Sequence, residues 1–365
     1  MTGPDPADAS AQSVLGPLTP AAVFLVATID PEGETATVEA LSGLAGLVRA
    51  VGSRVPAAAL NCVVGIGSRA WDRLFDGPRP AELHVLPEFV GAVHRAPSTP
   101  GDLLFHIRAE RLDVAFEFAK HLTRDLADAV TVIEEIHGFT SFDARALIGF
   151  VDGTENPIGP DRVAAALVDD ADPRFRGGSY VIAQKYRHDL DAWDALAVAE
   201  QERAIGRSKL DNIEMLDDVK PSNSHIALNV ITEPDGTQRQ ILRHNMAFGA
   251  VGEKEFGTFF IGYAASPAVT ELMLTRMFVG EPVGNHDRLL DFSTAITGGL
   301  FFAPPAAFLA DPPGSPAVDS EQADVEQGDV ESVTVISGAG NPRAGDSGDV
   351  DSAVGSSLGI GGLKQ

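Results

Sequence analysis

The apolar run Ala146-Leu147-Ile148-Gly149-Phe150-Val151 breaks abruptly into Asp152-Gly153-Thr154-Glu155-Asn156-Pro157, which sets one carboxylate at the edge of a core. A carboxylate so placed can take up a proton and return it. Gly153 gives the freedom for a tight turn and Asn156-Pro157 forces an extended exit, so an ordinary surface turn is the competing reading. Two further stretches carry groups of the same kind. His225 opens a predicted strand over residues 225–231, just after the loop Lys220-Pro221-Ser222-Asn223, so its ring can leave a strand end and face a cleft. A satisfied histidine at a core edge is the plainer alternative. Arg243 and Asn245 stand two apart in a predicted strand over 240–245 and share one face, with His244 on the other. A fixed guanidinium can stabilise negative charge that develops in a reaction, whereas a solvated arginine does nothing of the kind.

Taken together, the nine residues GFVDGTENP at 149–157 resemble the signature of the dye-decolourising peroxidases, which are haem enzymes. The resemblance implies that Asp152 is the distal catalytic aspartate. The segment 217–225 looks like the family's proximal-histidine region, which makes His225, one of nine histidines, the axial ligand of a haem b iron. A ligating imidazole usually donates its other N–H to a carboxylate. Asp287, in a segment (285–293) similar to the family's closing segment, is expected to accept it, with Asp291 as a rival. Arg243 and Asn245 match the family's R-x-N-M pattern and join Asp152 as the catalytic set. Arg207 resembles the arginine that contacts the haem propionates, a pairing that suits a planar guanidinium better than Lys209. Glu155 and Glu214 could offer oxygen ligands to Mn²⁺, as in some bacterial members, although two loop acids are ordinarily just solvated.

These groups have to be positioned by a fold, and the hydrophobic patterning suggests one. A β-rich run at 23–29 is followed by a helical pattern over 38–51, strands over 58–66 and 102–107, a weak segment over 81–89, a helix over 112–126 and a strand over 130–136. The order is β-α-β-β-α-β. A second set comes after it: a strand over 179–186, a helix over 190–202, strands over 225–231 and 240–245, then 257–263 leading into a helix over 267–278. Two such units imply an α+β protein of two ferredoxin-like domains, 21–140 and 141–310, each an antiparallel sheet with helices on one face. This is also the architecture that the resemblance implies, that of the chlorite dismutase and dye-decolourising peroxidase barrels. A cofactor is expected between the domains, bound through the C-terminal one.

The chain has 365 residues, 44% of them hydrophobic, and a formal net charge of −25. That charge disfavours nucleic acid and anionic membrane surfaces as partners. The one cysteine, Cys62, reads as core and excludes intramolecular disulfides and thiolate metal clusters. No stretch is long and apolar enough to span a bilayer and no leader precedes the first strand, so a cytoplasmic protein is expected. Residues 1–20 read as a flexible lead-in. Ten acidic residues against two basic ones over 311–365 make 311–356 a disordered tether. The ending, Ser357-Leu358-Gly359-Ile360-Gly361-Gly362-Leu363-Lys364, is similar to the peptide by which bacterial B-type members are packaged into encapsulin shells. The resemblance therefore implies a haem peroxidase that reduces H₂O₂ and oxidises dyes, phenols or other one-electron donors through a ferryl intermediate. It would be a homo-oligomer inside an encapsulin nanocompartment. A non-catalytic haem-handling protein and a plain ferredoxin-like interaction module are the alternatives. Trp71, Trp193, Tyr180, Tyr186 and Tyr263 read as packing residues or surface electron relays.

Overall fold

The computed structural model of the chain describes residues 11–314. In the first half, strand β1 (Ala21–Ile29) is followed by helix α1 (Glu34–Gly52), strands β2 (Asn61–Gly67) and β3 (Leu103–Ala109), helix α2 (Leu112–Asp125) and strand β4 (Val130–Phe139). Helix α2 forms where Val114, Phe118 and Leu122 recur at helical spacing and are buried, with Asp113 in its first turn and Arg124 in its last, both signs suited to the helix dipole.

The second half holds β5 (Ser179–His188), three short helices, α3 (Leu190–Asp194), α4 (Val198–Ile205) and α5 (His225–Asn229), then β6 (Met246–Ala250), β7 (Glu255–Ala264), α6 (Pro267–Phe278) and β8 (Gly299–Ala303). The first sheet runs β4-β1-β3-β2 and the second β8-β5-β7-β6, the same relative order, and every pairing is antiparallel. Their edges join: Ala247 of β6 pairs with Phe139 of β4, while Phe301 and Phe302 of β8 pair with Gly67 and Ile66 of β2. Eight strands thus close into a ring, which removes the open edges that each half alone would expose.

Alternation along each strand separates two cores. Phe24, Val63, Val181, Ala183, Phe259, Ile261 and Phe301 point into the barrel. Val23, Leu25, Phe105 and Ile107 point outward beneath α1 and α2, together with Leu41, Phe118 and Leu122. Fully burying one such side chain stabilises the fold by about 1.5–3 kcal/mol.

Several expectations are corrected. The helix expected over 190–202 is two helices, because the Asp189 carboxylate caps the first and the chain breaks at 195–197 before Val198. His225 begins helix α5 rather than a strand; the Ser224 hydroxyl accepts from the Ala227 N–H and acts as N-cap, a signal that the β-branched residues around it obscured. The strand expected over 240–245 is only Leu242–Arg243. In place of the segment over 81–89 there is a two-residue hairpin, Phe89–Val90 with Arg95–Ala96. Residues 11–20, taken as part of a flexible lead-in, are packed: the Gln12 side chain donates to the Val64 and Pro304 carbonyls and accepts from the Val64 N–H, and Val14 is buried. Residues 1–10, and the tether and terminal peptide beyond residue 314, lie outside the described residues. Among the described residues, no helix is long and apolar enough to cross a membrane.

Candidate functional site

In the first half a single 19-residue helix, α1, covers the sheet between β1 and β2. The corresponding connection of the second half is broken into α3, α4 and α5, and it leaves an uncovered cleft on the outer face of the barrel. The cleft measures about 1030 Å³ out to its open mouth and is lined only by residues between Ala146 and Ser293. The expectation of a site between the two halves is therefore corrected: the cleft lies wholly within the C-terminal half. Its walls include Ile148, Phe150, Ile205, Phe260, Met273 and Met277, and four polar candidates meet there, Asp152, His225, Arg243 and Asn245.

His225 is the first residue of α5, so the cap that starts the helix also fixes where the ring leaves the backbone. Its Nδ1 donates to Asp287 Oδ2 at 2.7 Å. Asp287 is fully buried; its other oxygen accepts from the Leu289 N–H at 2.9 Å, and its own N–H donates to the Met277 carbonyl. The ring is partly exposed, and the Asp287 bond leaves Nε2 as the nitrogen available to the cleft. The rival, Asp291, is engaged elsewhere, with His94, His286 and Arg288. Burial works against its charge, but the bonds from His94 and His286 and the Arg288 guanidinium outweigh it and hold the Asp291 carboxyl below the ordinary value.

Across the cleft, Asp152 leaves the apolar run through Gly149, at φ +89°, and Gly153, at φ +72°. Both conformations favour glycine. The Asn245 amide reaches Asp152 Oδ1 at 3.5 Å, and its own oxygen accepts from the Ile261 N–H. Arg243 is held by a residue that the reading of the sequence used only as a turn former. Asn156 accepts from the Arg243 N–H at 2.9 Å and donates to the Arg243 carbonyl at 2.8 Å, so its side chain pairs with Arg243 as a neighbouring strand would. The Asp152 loop and the Arg243 strand thereby become one unit. Burial lowers the pKa of the Arg243 guanidinium from its usual value, while the Asp152 and Glu155 carboxylates oppose that shift. His244 turns into the barrel as expected: it is buried, bonds to Arg108 at 2.5 Å, and is pushed down to about 2 by burial and by the Arg108 and Arg162 charges.

Arg207 does not line the cleft. It pairs with Glu155 and Glu214 and donates to the Asn212 carbonyl at 2.7 Å. The guanidinium expected to contact the haem propionates is thus held by three protein groups. The same pairing engages the two acids considered for Mn²⁺, and Lys220 takes the other side of Glu214 at 2.6 Å. Lys209 binds Gln201 and lies over the Phe150 ring. Trp71, Trp193, Tyr180, Tyr186 and Tyr263 are all buried, so they pack rather than serve as surface relays. Cys62 is buried and free, with its thiol pushed up by burial.

The wall formed by β5 was missed. Gln184, Tyr186 and His188 alternate along it and face the cleft. The Tyr186 hydroxyl donates to Gln184, and His188 is bonded to Ser293 and Thr258. Burial holds the His188 imidazole down to about 4, so it is neutral. Lys185 and Arg187 stand between them, so 184–188 is polar throughout and no alternation in the sequence marks this face.

The residues present fit a haem. The cleft offers an apolar slot, an imidazole whose distal nitrogen is free of Asp287, and a carboxylate and a cation beyond it. Arg243 Nε and Gln184 Nε2 are buried donors without a partner among the described residues, and both belong to the cleft wall. Such orphaned donors cost about 1–3 kcal/mol unless something in the cleft accepts from them.

Residues 11–140 match the family described as Dyp-type peroxidase, N-terminal, and residues 143–308 the family described as Dyp-type peroxidase, C-terminal. A dye-decolorizing peroxidase of Mycobacterium tuberculosis is 57% identical over 334 residues, which is 92% of this chain and 98% of that protein. The cryo-EM structure of the encapsulated DyP-type peroxidase from Mycobacterium smegmatis is 60% identical, with a TM-score of 0.83 over 84% of this chain and 99% of that one. A variant of DypB from Rhodococcus jostii RHA1 in complex with heme is 54% identical, with a TM-score of 0.81 over 82% of this chain and 98% of that one.

Proposed function

The chain belongs to the Dyp-type peroxidase family, and we propose that it is a haem-dependent peroxidase that reduces H₂O₂ and oxidises dyes, phenols or other small one-electron donors. One observation carries the site assignment: His225, tied through Nδ1 to a fully buried carboxylate, lines the same cleft as Asp152 and Arg243. His225 would hold the iron through Nε2, with Asp287 fixing the tautomer and making the imidazole more basic. The haem, when bound, supplies the redox chemistry. On the other side, the Asp152 carboxylate takes the proton from one peroxide oxygen and returns it to the other. The Arg243 guanidinium stabilises the negative charge that develops as the O–O bond lengthens. Asn245 holds Asp152 at the cleft, and Asn156 holds Arg243. A protein that only carried haem would need neither the proton shuttle nor the distal cation.

The absorption spectrum of the haem-loaded protein tests the assignment. His225→Ala is expected to lose haem or to shift the Soret band; native haem content with an unchanged spectrum in that variant would overturn it.

The reading also extends to the ends of the chain. Residues 21–140 and 141–310 form the catalytic body, 311–356 the tether, and 357–365 the peptide that docks the enzyme inside a cytoplasmic encapsulin shell. The likeness of that peptide to known cargo signals supports this, as does the description of the Mycobacterium smegmatis relative as encapsulated. Co-expression with an encapsulin shell protein decides it: the full-length chain should load and a chain ending at Ser356 should not. The expected homo-oligomer is checked by sedimentation of the same two chains.

A further inference from the structure

Outside the cleft, on the far side of the segment that carries Asp287, two imidazoles and a carboxylate converge. His94 Nε2 lies 2.9 Å and His286 Nε2 3.3 Å from the same oxygen, Asp291 Oδ1. The three ligand atoms all lie within 4.8 Å of one another, and the two rings meet edge to face at 4.8 Å. The geometry points to a binding site for a divalent transition-metal ion of the zinc or copper class, formed by His94, His286 and Asp291. It is independent of the haem reading.

The donor set selects the metal. Two imidazole nitrogens and one carboxylate oxygen suit Zn²⁺, Cu²⁺ or Ni²⁺, whereas Mg²⁺ and Ca²⁺ favour oxygen alone. With bonds of about 2.0–2.2 Å, neighbouring donors in a tetrahedral site stand roughly 3.3 Å apart. Both nitrogen–oxygen edges are already near that length, and the nitrogen–nitrogen edge is no longer than 4.8 Å. Arg288 holds the other Asp291 oxygen, which fixes the carboxylate and leaves Oδ1 as the ligand. Side-chain exposures of 21, 23 and 26% for His94, His286 and Asp291 leave a route in and room for a water on the metal.

The three ligands come from two anchored segments. His94 ends the turn of the short hairpin, where the Gly91 N–H donates to the His94 carbonyl. A Cβ at Gly91 would lie 1.8 Å from the Phe278 carbonyl oxygen, so the hairpin is seated against the end of α6. His286 and Asp291 flank Asp287, which is pinned to Met277 and His225. A bound ion would therefore tie the N-terminal hairpin to the stretch that supports His225. Two other histidines, His84 beside Glu271 and His137 beside Glu135, have one acidic partner each and no third ligand among the described residues.

The test is calorimetric titration of the chelator-treated full-length holoenzyme with ZnCl₂. One saturable Zn²⁺ per chain is expected. His94→Ala and His286→Ala should each weaken it by at least about tenfold, the lower end of the loss caused by removing even the supporting partner of a metal ligand, while His84→Ala and His137→Ala leave it unchanged. The Soret band of each variant reports that the fold is intact. Independently of any variant, Cu²⁺ bound to the wild-type holoenzyme should give an electron paramagnetic resonance signal split by two nitrogens. No saturable binding, binding that survives in both His94→Ala and His286→Ala, or a copper signal with fewer than two nitrogens would overturn the assignment.

Discussion

Asn156→Ala separates positioning from chemistry more cleanly than any change to Asp152 or Arg243. Asn156 bonds the Arg243 main chain twice, at 2.9 and 2.8 Å, and leaves the guanidinium itself untouched. Each such bond contributes about 0.5–1.5 kcal/mol net, and a half-buried site lets water recover part of the loss, so the expected destabilisation is about 1–2 kcal/mol. The kinetic effect should be larger. Without the clamp, the Asp152 loop and the Arg243 strand are free to drift, and a misplacement of about 1 Å at a reacting centre costs roughly a hundredfold. Stopped-flow mixing of the holoenzyme with H₂O₂ should show the bimolecular step slowed by about 10–100-fold, with haem content unchanged because His225 and Asp287 are unaffected. Asn156→Asp keeps the acceptor for the Arg243 N–H but sets a carboxylate oxygen against the Arg243 carbonyl, so it should not restore the rate. A wild-type peroxide rate in Asn156→Ala, at unaltered stability, would refute the view that this side chain positions the distal pair.

Three further outcomes are expected. Asp287→Ala removes the acceptor of His225 and the cap on the Leu289 N–H; urea unfolding should show a loss of about 2–3 kcal/mol, and haem should pass to an excess acceptor protein about 10–100-fold more readily. His188 and His244 are held neutral in the fold, at about 4 and about 2, against 6.5 for an ordinary imidazole. Because their folded values are depressed, the stability they contribute is complete above about pH 6.5 and is lost as the pH falls below it, at up to about 1.4 kcal/mol per pH unit for each; urea midpoints from pH 7 to 4.5 should show this, and His188→Asn should flatten the slope by about one proton. Gly149→Ala puts a Cβ 2.4 Å from Lys209 Cε at a φ of +89°, and should cost about 1–2 kcal/mol in urea unfolding from backbone strain alone.

The β-α-β-β-α-β order of the first half was legible in the sequence because apolar periodicity changes sharply at each boundary, and Pro267–Phe278 matches its expected bounds, whereas β6 and β8 of the second half were not expected and the strand expected over 225–231 begins as helix α5. The residue types of the candidate site were legible too, as one contiguous motif and three short flanking patterns. What the sequence left open was decided by contacts between residues far apart in the chain. Whether the halves stay apart or close into one barrel depends on two edge pairings, Ala247 with Phe139 and Phe301 with Gly67, each joining strands from different halves. Asp287 and Asp291 have the same chemistry four residues apart, and only the fold brings one to His225 and the other to His94 and His286. Arg207 reads in the sequence as an isolated cation because nothing local announces that Glu155, 52 residues away, pairs with it. Local propensity is a matter of neighbours within a few positions, so it can name a carboxylate, an imidazole or a guanidinium and the element that carries it. Which of them meet is set by packing across tens to hundreds of residues, where a single hydrogen bond such as that of Asn156 to Arg243 leaves no periodic trace in the chain.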